Sequence, residues 1–289
     1  GFEDGVLERI NARSRGAIVM TGMLDKEAHE ALSGEMSPKF LATLDEAGRP
    51  NCVPVISIMP YKENMLIFGE FMMNKTRHNL RENSKVGTTV LTAAYETWSI
   101  KGEFLGFETT GPSVDFVNGQ PMFRYNSYTS VRAAGLIRVH EVSAKHQLGK
   151  AQLLGGFSRA FATRLLLGMF GERGRCMPRP VQEKFARLSA VRAIAFKDAD
   201  GSPRVFPVLA CVASGSKRLV FSWSGCGAYR SAIPVGTEVA VAIITMDPIA
   251  YQVKGRYVGN RAGVGIIDIT ECYSASPPRV GERLDIQNT

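Results

Sequence analysis

Asp45-Glu46-Ala47-Gly48-Arg49-Pro50-Asn51-Cys52-Val53-Pro54-Val55 returns 153 positions later as Asp198-Ala199-Asp200-Gly201-Ser202-Pro203-Arg204-Val205-Phe206-Pro207-Val208. Both stretches read as an acidic turn closed by glycine, then a proline, then an apolar strand. Aspartate and glycine so placed are hairpin signals, because glycine takes the left-handed backbone that a tight turn needs. The offset continues without a gap. Leu66, Phe68, Arg77, Val86 and Thr92 fall on Leu219, Phe221, Arg230, Val239 and Thr245, and Lys101-Gly102 falls on Lys254-Gly255, giving twelve identities. Self-similarity at one fixed period, with turn residues in register, marks a duplicated unit. Further on, Gly135-Leu136-Ile137-Arg138-Val139-His140-Glu141 matches Gly265-Ile266-Ile267-Asp268-Ile269-Thr270-Glu271 at an offset of 130, so the first copy carries 23 more residues, within 105–134.

Each copy reads as β. Strands are expected at 52–59, 65–71, 86–91, 97–105 and 135–142, and again at 204–212, 218–224, 238–245, 249–258 and 265–272. Short strands at this spacing with one short helix predict a small split or closed barrel. The fold class is mainly β with accessory helices (α+β): two tandem split β-barrels packed as a pseudo-twofold pair, burying what a homodimer would bury. The expected division is an N-terminal helical segment at 1–35, with helices at 8–13 and 25–32. A first barrel follows at 36–145, a basic helical connector at 146–179, a second barrel at 180–273 and a polar tail at 274–289.

The first copy holds a distinctive stretch, Phe68-Gly69-Glu70-Phe71-Met72-Met73-Asn74-Lys75-Thr76-Arg77-His78-Asn79-Leu80-Arg81-Glu82-Asn83-Ser84-Lys85-Val86. It reads as strand, turn, short helix, strand, with Asn74 expected as the N-cap. Lys75, Arg77 and His78 follow where a helix N-terminus favours acidic residues. Open amides, the Thr76 hydroxyl and these cations together suit a phosphate; the alternative is a solvated basic turn.

Composition narrows the function classes. Of 289 residues, 45% are hydrophobic, enough for a packed core. The five cysteines are scattered without a C-x-x-C, and the four histidines lack ligand spacing, which argues against a disulfide framework and a metal centre. No apolar run is long enough to cross a bilayer, and Gly1-Phe2-Glu3-Asp4 lacks the layout of a signal peptide. A cytoplasmic location is expected. The net charge of +8 belongs to residues 143–192, where ten basic residues face two acidic ones. A helix is expected at 148–170 with Leu153, Leu154, Phe157, Phe161, Leu165 and Met169 on its apolar side. Its interleaved arginines read as a solvated face, so neither nucleic acid nor membrane is expected as a partner. No Ser–His–Asp or Cys–His grouping supports nucleophilic catalysis.

Phe40-Leu41-Ala42-Thr43-Leu44-Asp45, the 48–55 strand, the 74–86 helix and Lys101-Gly102 together resemble the FMN-binding split barrel, the superfamily of pyridoxamine 5′-phosphate oxidase and its flavin-binding relatives. The resemblance covers 36–145 and 180–273. Ser84 departs from the proline that many relatives carry there. The resemblance implies FMN between two barrels, its phosphate on Asn74, Lys75 and Thr76 with Arg77 and Asn79 in support. It places the flavin ring along Asn51, Val53, Pro54 and Val55 and along the strand of Phe68. Lys101 would reach the phosphate or ribityl chain, unless it is a surface lysine; Asn51 could equally be a turn residue.

In the second copy Ala228 and Tyr229 replace Lys75 and Thr76, and Pro234 shortens the helix, so that phosphate site is expected to be weak or lost. The second barrel would then wall a single site, with Trp223 and Tyr229 either facing the flavin or packing inside the barrel. The first copy's extra segment is expected as a lid or substrate wall with Arg124, Tyr125 and Tyr128 as contacts, or as a plain surface connection. The implied function is an FMN-dependent oxidoreductase acting on a small organic substrate, with NAD(P)H or another carrier as electron donor. The alternative is a non-catalytic flavin-, heme- or deazaflavin-binding module or sensor. Further dimerisation is left open.

Overall fold

In each half an aspartate turn sets the first hairpin. Asp45 Oδ1 accepts from the amides of Ala47 and Arg49, and Gly48 takes a φ of +74°. Gly201 repeats this at +77°. The computed structural model describes residues 20–35, 37–71, 73–121, 131–168, 176–247, 249–276 and 280–284. The first turn joins β2 (Lys39–Leu44) to β3 (Pro50–Pro54). Beyond them run β4 (Met59–Pro60), β5 (Met65–Gly69), β6 (Lys85–Leu91), β7 (Glu96–Glu108) and β8 (Ala134–Ser143). Their order in the sheet is β3-β2-β6-β7-β8-β5-β4; the two-residue strands β1 (Met20–Thr21) and β9 (His146–Gln147) pair off this path.

The second half comprises β10 (Val191–Lys197), β11 (Pro203–Val208), β12 (Cys211–Ser214), β13 (Arg218–Ser222), β14 (Glu238–Ile244), β15 (Ala250–Arg261) and β16 (Val264–Ser274). Its order, β11-β10-β14-β15-β16-β13-β12, is the same topology. Register matches as well. Phe40 faces Pro54 and Ala193 faces Pro207; Lys85 faces Glu103 and Glu238 faces Arg256. Even the bulges coincide, at Lys101/Gly102 and Lys254/Gly255. The strands expected at 52–59 and 204–212 are each two strands, broken after Pro54 and after Val208.

The repeat reaches further back than the barrels. Helix α1 (Lys26–Ser33), capped by Asp25 accepting from the Ala28 amide at 2.7 Å, lies 153 residues before a later helix, Arg179–Ala186. Behind each sits a buried cation holding backbone carbonyls. Lys39 Nζ donates to Gly34 and Ile56, and Arg192 donates to Phe185, Arg187, Ala190 and Leu209. Burial pushes Lys39 down to about 8 and Arg192 to about 10. The helix expected at 8–13 lies outside the described residues.

Three apolar layers result. Leu41, Leu66, Phe68, Trp98 and Ile137 fill the first barrel, and Ile194, Phe206, Phe221, Trp223 and Ile267 the second. Between them Phe40, Ala42 and Cys52 meet Ala193, Ala195, Val205, Ala240 and Ala242. Small side chains let the sheets approach closely. Two reciprocal bonds cross this seam: Ser99 Oγ donates to the Val205 carbonyl at 3.0 Å, and Gln252 Nε2 donates to the Cys52 carbonyl at 2.5 Å. Ser99 and Gln252 are 153 residues apart, as are Cys52 and Val205, so the halves are related by a pseudo-twofold.

Helix α2 (Asn74–Glu82) precedes β6. The first copy's extra segment contains α3 (Pro112–Asn118), whose Val114 and Val117 pack on Ile67, Ala134 and Leu136. The connector forms α4 (Lys150–Gly168), and α5 is the helix at Arg179–Ala186. Phe157 and Ala160 bury α4 on Ala210, Val212, Val220 and Ile266, outside the second barrel where α3 sits outside the first. Of the apolar residues expected along α4, Phe157 is buried, whereas Leu154, Phe161 and Leu165 are exposed. Gly156 and Ala160 complete the buried face; they allow close packing but carry little weight in an apolar pattern. Tail residues 280–284 fold back on β16, with the Leu284 amide donating to Cys272.

Candidate functional site

The N-terminus of α2 opens between the halves. Its N-cap is Met73, with no side-chain bond to the first turn, and that turn holds no acidic residue. Asn74, expected as the cap, is instead the first helical residue. The first-turn amides therefore lack the side-chain acceptor that usually satisfies them. They border a groove of about 540 Å³, counting space open to solvent. The first half lines it with Asn51, Val53, Pro54, Phe71, Met73, Asn74, Lys75 and Thr76. The second half contributes Gln252, Tyr273, Ser274 and Ala275, and the folded-back tail adds Val280 and Gly281.

A polar chain crosses the floor. Gln252 Nε2 donates to Asn51 Oδ1 at 3.1 Å, and Asn51 Nδ2 donates to Thr76 Oγ1 at 3.3 Å. Gln252 Oε1 is buried without a partner. The Lys75 ammonium lies 4.1 Å from the centre of the Tyr273 ring, and the Tyr273 hydroxyl donates to Glu271 at 2.8 Å. Burial lowers the Lys75 pKa, and burial together with Glu271 pushes Tyr273 up to about 12. Lys254, from β15, lines a separate depression with Arg49, Glu238 and Glu271. Its Nζ is buried without a hydrogen-bond partner, and burial followed by the Lys75 charge pushes it down to about 8.

This donor set fits a flavin mononucleotide. A bare helix N-terminus with the half-buried Lys75 ammonium suits a phosphate, and the orphaned Gln252 oxygen offers an acceptor to a ring N–H.

Of the residues expected at the cofactor, Asn51, Val53, Pro54, Asn74, Lys75 and Thr76 meet at this groove. Five do not line it. Val55, just past the end of β3, and Phe68, on β5, are packed in the first barrel's core. Arg77 bonds Glu70 at 2.5 Å and lies over the Phe107 ring. Asn79 donates to Thr43 Oγ1 at 3.1 Å, a buried bond that ties α2 to β2. Lys101 is bonded to Asp198 and Asp200 of the other half, at 2.8 and 2.6 Å.

Trp223 and Tyr229, also weighed as flavin contacts, are packed within the second barrel. Tyr229 stacks on Phe206 at 4.3 Å with planes 5° apart, and Trp223 stacks beyond it. The turn that carries Tyr229 is a 3-10 helix, Gly227–Ala232, where the first copy has α2. Arg124, Tyr125 and Tyr128 lie outside the described residues. Gln252, Tyr273 and Lys254 were missed by sequence reasoning. The signal for Lys254 was present in the Lys-Gly repeat, but which of its two copies faces the intact helix is decided by how the halves dock.

Among the described residues no cluster of His, Cys, Asp or Glu could hold a metal ion, and no helix is long and apolar enough to cross a membrane.

Residues 24–115 match the pyridoxamine 5′-phosphate oxidase family. No protein of curated function matches the chain. Among solved structures, it resembles an FMN-binding protein from Syntrophomonas wolfei at 14% identity, over 52% of this chain and 100% of that one, with a TM-score of 0.38. HupZ from Group A Streptococcus matches at 20% identity over 42% and 92%, with a TM-score of 0.36. An F420 reductase matches at 17% identity over 42% and 98%, with a TM-score of 0.32.

Proposed function

Since its first half is a split barrel of the pyridoxamine 5′-phosphate oxidase type, we propose that this chain binds one FMN in the groove between its halves and serves as an oxidoreductase on a small organic substrate. The observation that carries this reading is the uncapped N-terminus of α2, opening onto a groove whose far wall is built by the second half. Lys75, Thr76 and the first-turn amides would hold the phosphate. Asn51 and Gln252, fixed to one another across the seam, would orient the ring, and Tyr273 would cover Lys75. FMN, when bound, supplies hydride or electron transfer. The chain's own part is to bind, orient and exclude water, with NAD(P)H or another carrier as the reductant.

A second reading, a flavin- or deazaflavin-binding module without catalysis, is favoured by one feature. None of the described residues lining the groove is a histidine, cysteine or carboxylate, and its two titratable side chains, Lys75 and Tyr273, are turned on one another. Two measurements test the two readings. Absorption and mass spectrometry of the purified protein should reveal FMN, or show its uptake when it is added; a protein that takes up no flavin refutes both. Reduction by NAD(P)H followed by reoxidation with an organic acceptor supports the enzyme; bound flavin inert to all reductants leaves the module.

A further inference from the structure

Arg49 of the first half and Lys254 of the second line a depression of about 780 Å³, counting space open to solvent, that shares no lining residue with the groove beside α2. We infer that this depression is a second ligand site, which takes a small carboxylate anion onto the Lys254 ammonium. Lys254 is 6% exposed, and its Nζ has no hydrogen-bond partner. A buried ammonium in that state is costly. The other half shows what completes such a lysine. Lys101, its equivalent, is just as buried and holds two carboxylates of the β10–β11 turn, Asp198 at 2.8 Å and Asp200 at 2.6 Å. The Asp200 side chain is itself half-exposed, so an acetate-like group reaches this ammonium from the solvent side.

Both contacts are gone at Lys254. Asp45 stands where Asp198 does, but its Oδ1 accepts from the amides of Ala47 and Arg49, and its Oδ2 from Arg49 Nε at 2.9 Å. Arg49 occupies the place of Ser202 and so takes the oxygen that the lysine would use. Ala47 stands where Asp200 does and carries no carboxylate. It is exposed, as Asp200 is, so the turn is open where the acid would lie. The carboxylates that line the depression are engaged elsewhere. Glu238 pairs with Arg256 at 3.7 Å, and Glu271 faces Arg49 at 3.9 Å and accepts from the Tyr273 hydroxyl at 2.8 Å. Among the described residues lining it, Lys254 is thus the cation left for a ligand. One half carries its carboxylate in the chain, and the other leaves the same place for a carboxylate from solution.

The test is saturation-transfer NMR of acetate with the full chain and with two variants, Ala47→Asp and Lys254→Met, whose folding is checked by circular dichroism. Acetate should bind the parent saturably. Ala47→Asp supplies the missing carboxylate from the turn, as Asp200 does opposite, so it should lose acetate binding and melt at a higher temperature than the parent. Lys254→Met loses a charge-assisted bond and should bind acetate about tenfold to a hundredfold more weakly. FMN added in excess should leave the acetate signal of the parent unchanged. A parent that binds no acetate, or a folded variant of either kind that binds it as the parent does, overturns the assignment. Displacement of acetate by FMN would make the depression part of the cofactor groove and overturn the separate site, while leaving the flavin reading intact.

Discussion

Lys101 and Lys254 occupy equivalent places 153 residues apart, each just before a bulge glycine, yet the first is tied to two aspartates across the seam and the second is tied to nothing. One duplicated lysine is a strut across the seam, and the other is buried without a hydrogen-bond partner. Burial works against ionised Asp198, but the bond from Lys101 and the charge of Arg204 hold its carboxyl below the usual range.

Opposite stability effects follow for the two lysines. Lys101→Met leaves Asp198 buried beside a half-exposed Asp200, and should cost about 2–3 kcal/mol, less than a fully buried pair because of the solvent at Asp200. Lys254→Met removes an unpaired buried charge and should be neutral or stabilising by about 1 kcal/mol in the flavin-free protein. Urea denaturation of both variants measures this. Equal losses would mean that Lys254 has a structural partner after all.

A pH dependence separates the same two states. The folded-state pKa of Lys254, about 8, lies below its unfolded value, so the unfolded chain holds the proton more tightly. The penalty is fully present below pH 8 and is relieved as pH rises toward the unfolded pKa, at up to about 1.4 kcal/mol per pH unit. Lys39 adds a like contribution, so the comparison must be between the parent and Lys254→Met. The stability advantage of the variant should shrink between pH 8 and 10; an advantage constant with pH would contradict the burial argument.

One flavin per chain is the expected stoichiometry. Tyr229 stands at the position equivalent to Thr76, stacked on Phe206, which stacks in turn on Trp223, and burial pushes it up to about 12. Tyr229→Ala should cost about 3–5 kcal/mol through the cavity it leaves. It should not create a second site, because Ala228 stands where Lys75 would be needed. Titration to saturation reads the ratio directly, and two flavins bound per parent chain would refute the asymmetry.

The duplication was legible because turns punish substitution: Asp45, Gly48 and Pro50 keep their places in Asp198, Gly201 and Pro203, and the strands follow. The helix end at Asn74-Lys75-Thr76 was legible from charge in the wrong place for a helix. What faces what across the seam was not. Period-two alternation says that Val53 and Phe68 each have a face, but not which face meets the second barrel, so Phe68 was expected at the groove and lies in the core. Lys101 was expected at the cofactor's phosphate or ribityl chain, whereas it reaches across to Asp198 and Asp200 of the other half. The offset reveals equivalence within the chain and carries no information about docking. α1 was placed in the N-terminal segment while α5 fell within the second barrel's bounds, because Glu30 and Glu183 are the one identity the two helices share at that offset.

Gly87 offers the sharpest test of the docking itself. Its backbone needs no glycine-only conformation, but a Cβ there would lie 2.4 Å from the Pro203 carbonyl oxygen and 3.0 Å from its carbon, both of the opposite half. Backbone cannot swing aside as a side-chain tip can, so Gly87→Ala must push β6 away from β11. Overpacking of this kind costs about 1–3 kcal/mol. The movement should also loosen the Gln252–Asn51 and Gln252–Cys52 bonds that cross the same seam and shape the groove floor. The equivalent residue, Ala240, already carries a methyl in the seam, so Ala240→Gly is the control: it loses a buried methyl and leaves the Gly87–Pro203 approach untouched. Gly87→Ala should therefore lower the urea midpoint and weaken FMN together, whereas Ala240→Gly should lower stability with little change in FMN affinity. A Gly87→Ala variant with parental stability and affinity would mean that the two halves do not meet along β6 and β11 as described.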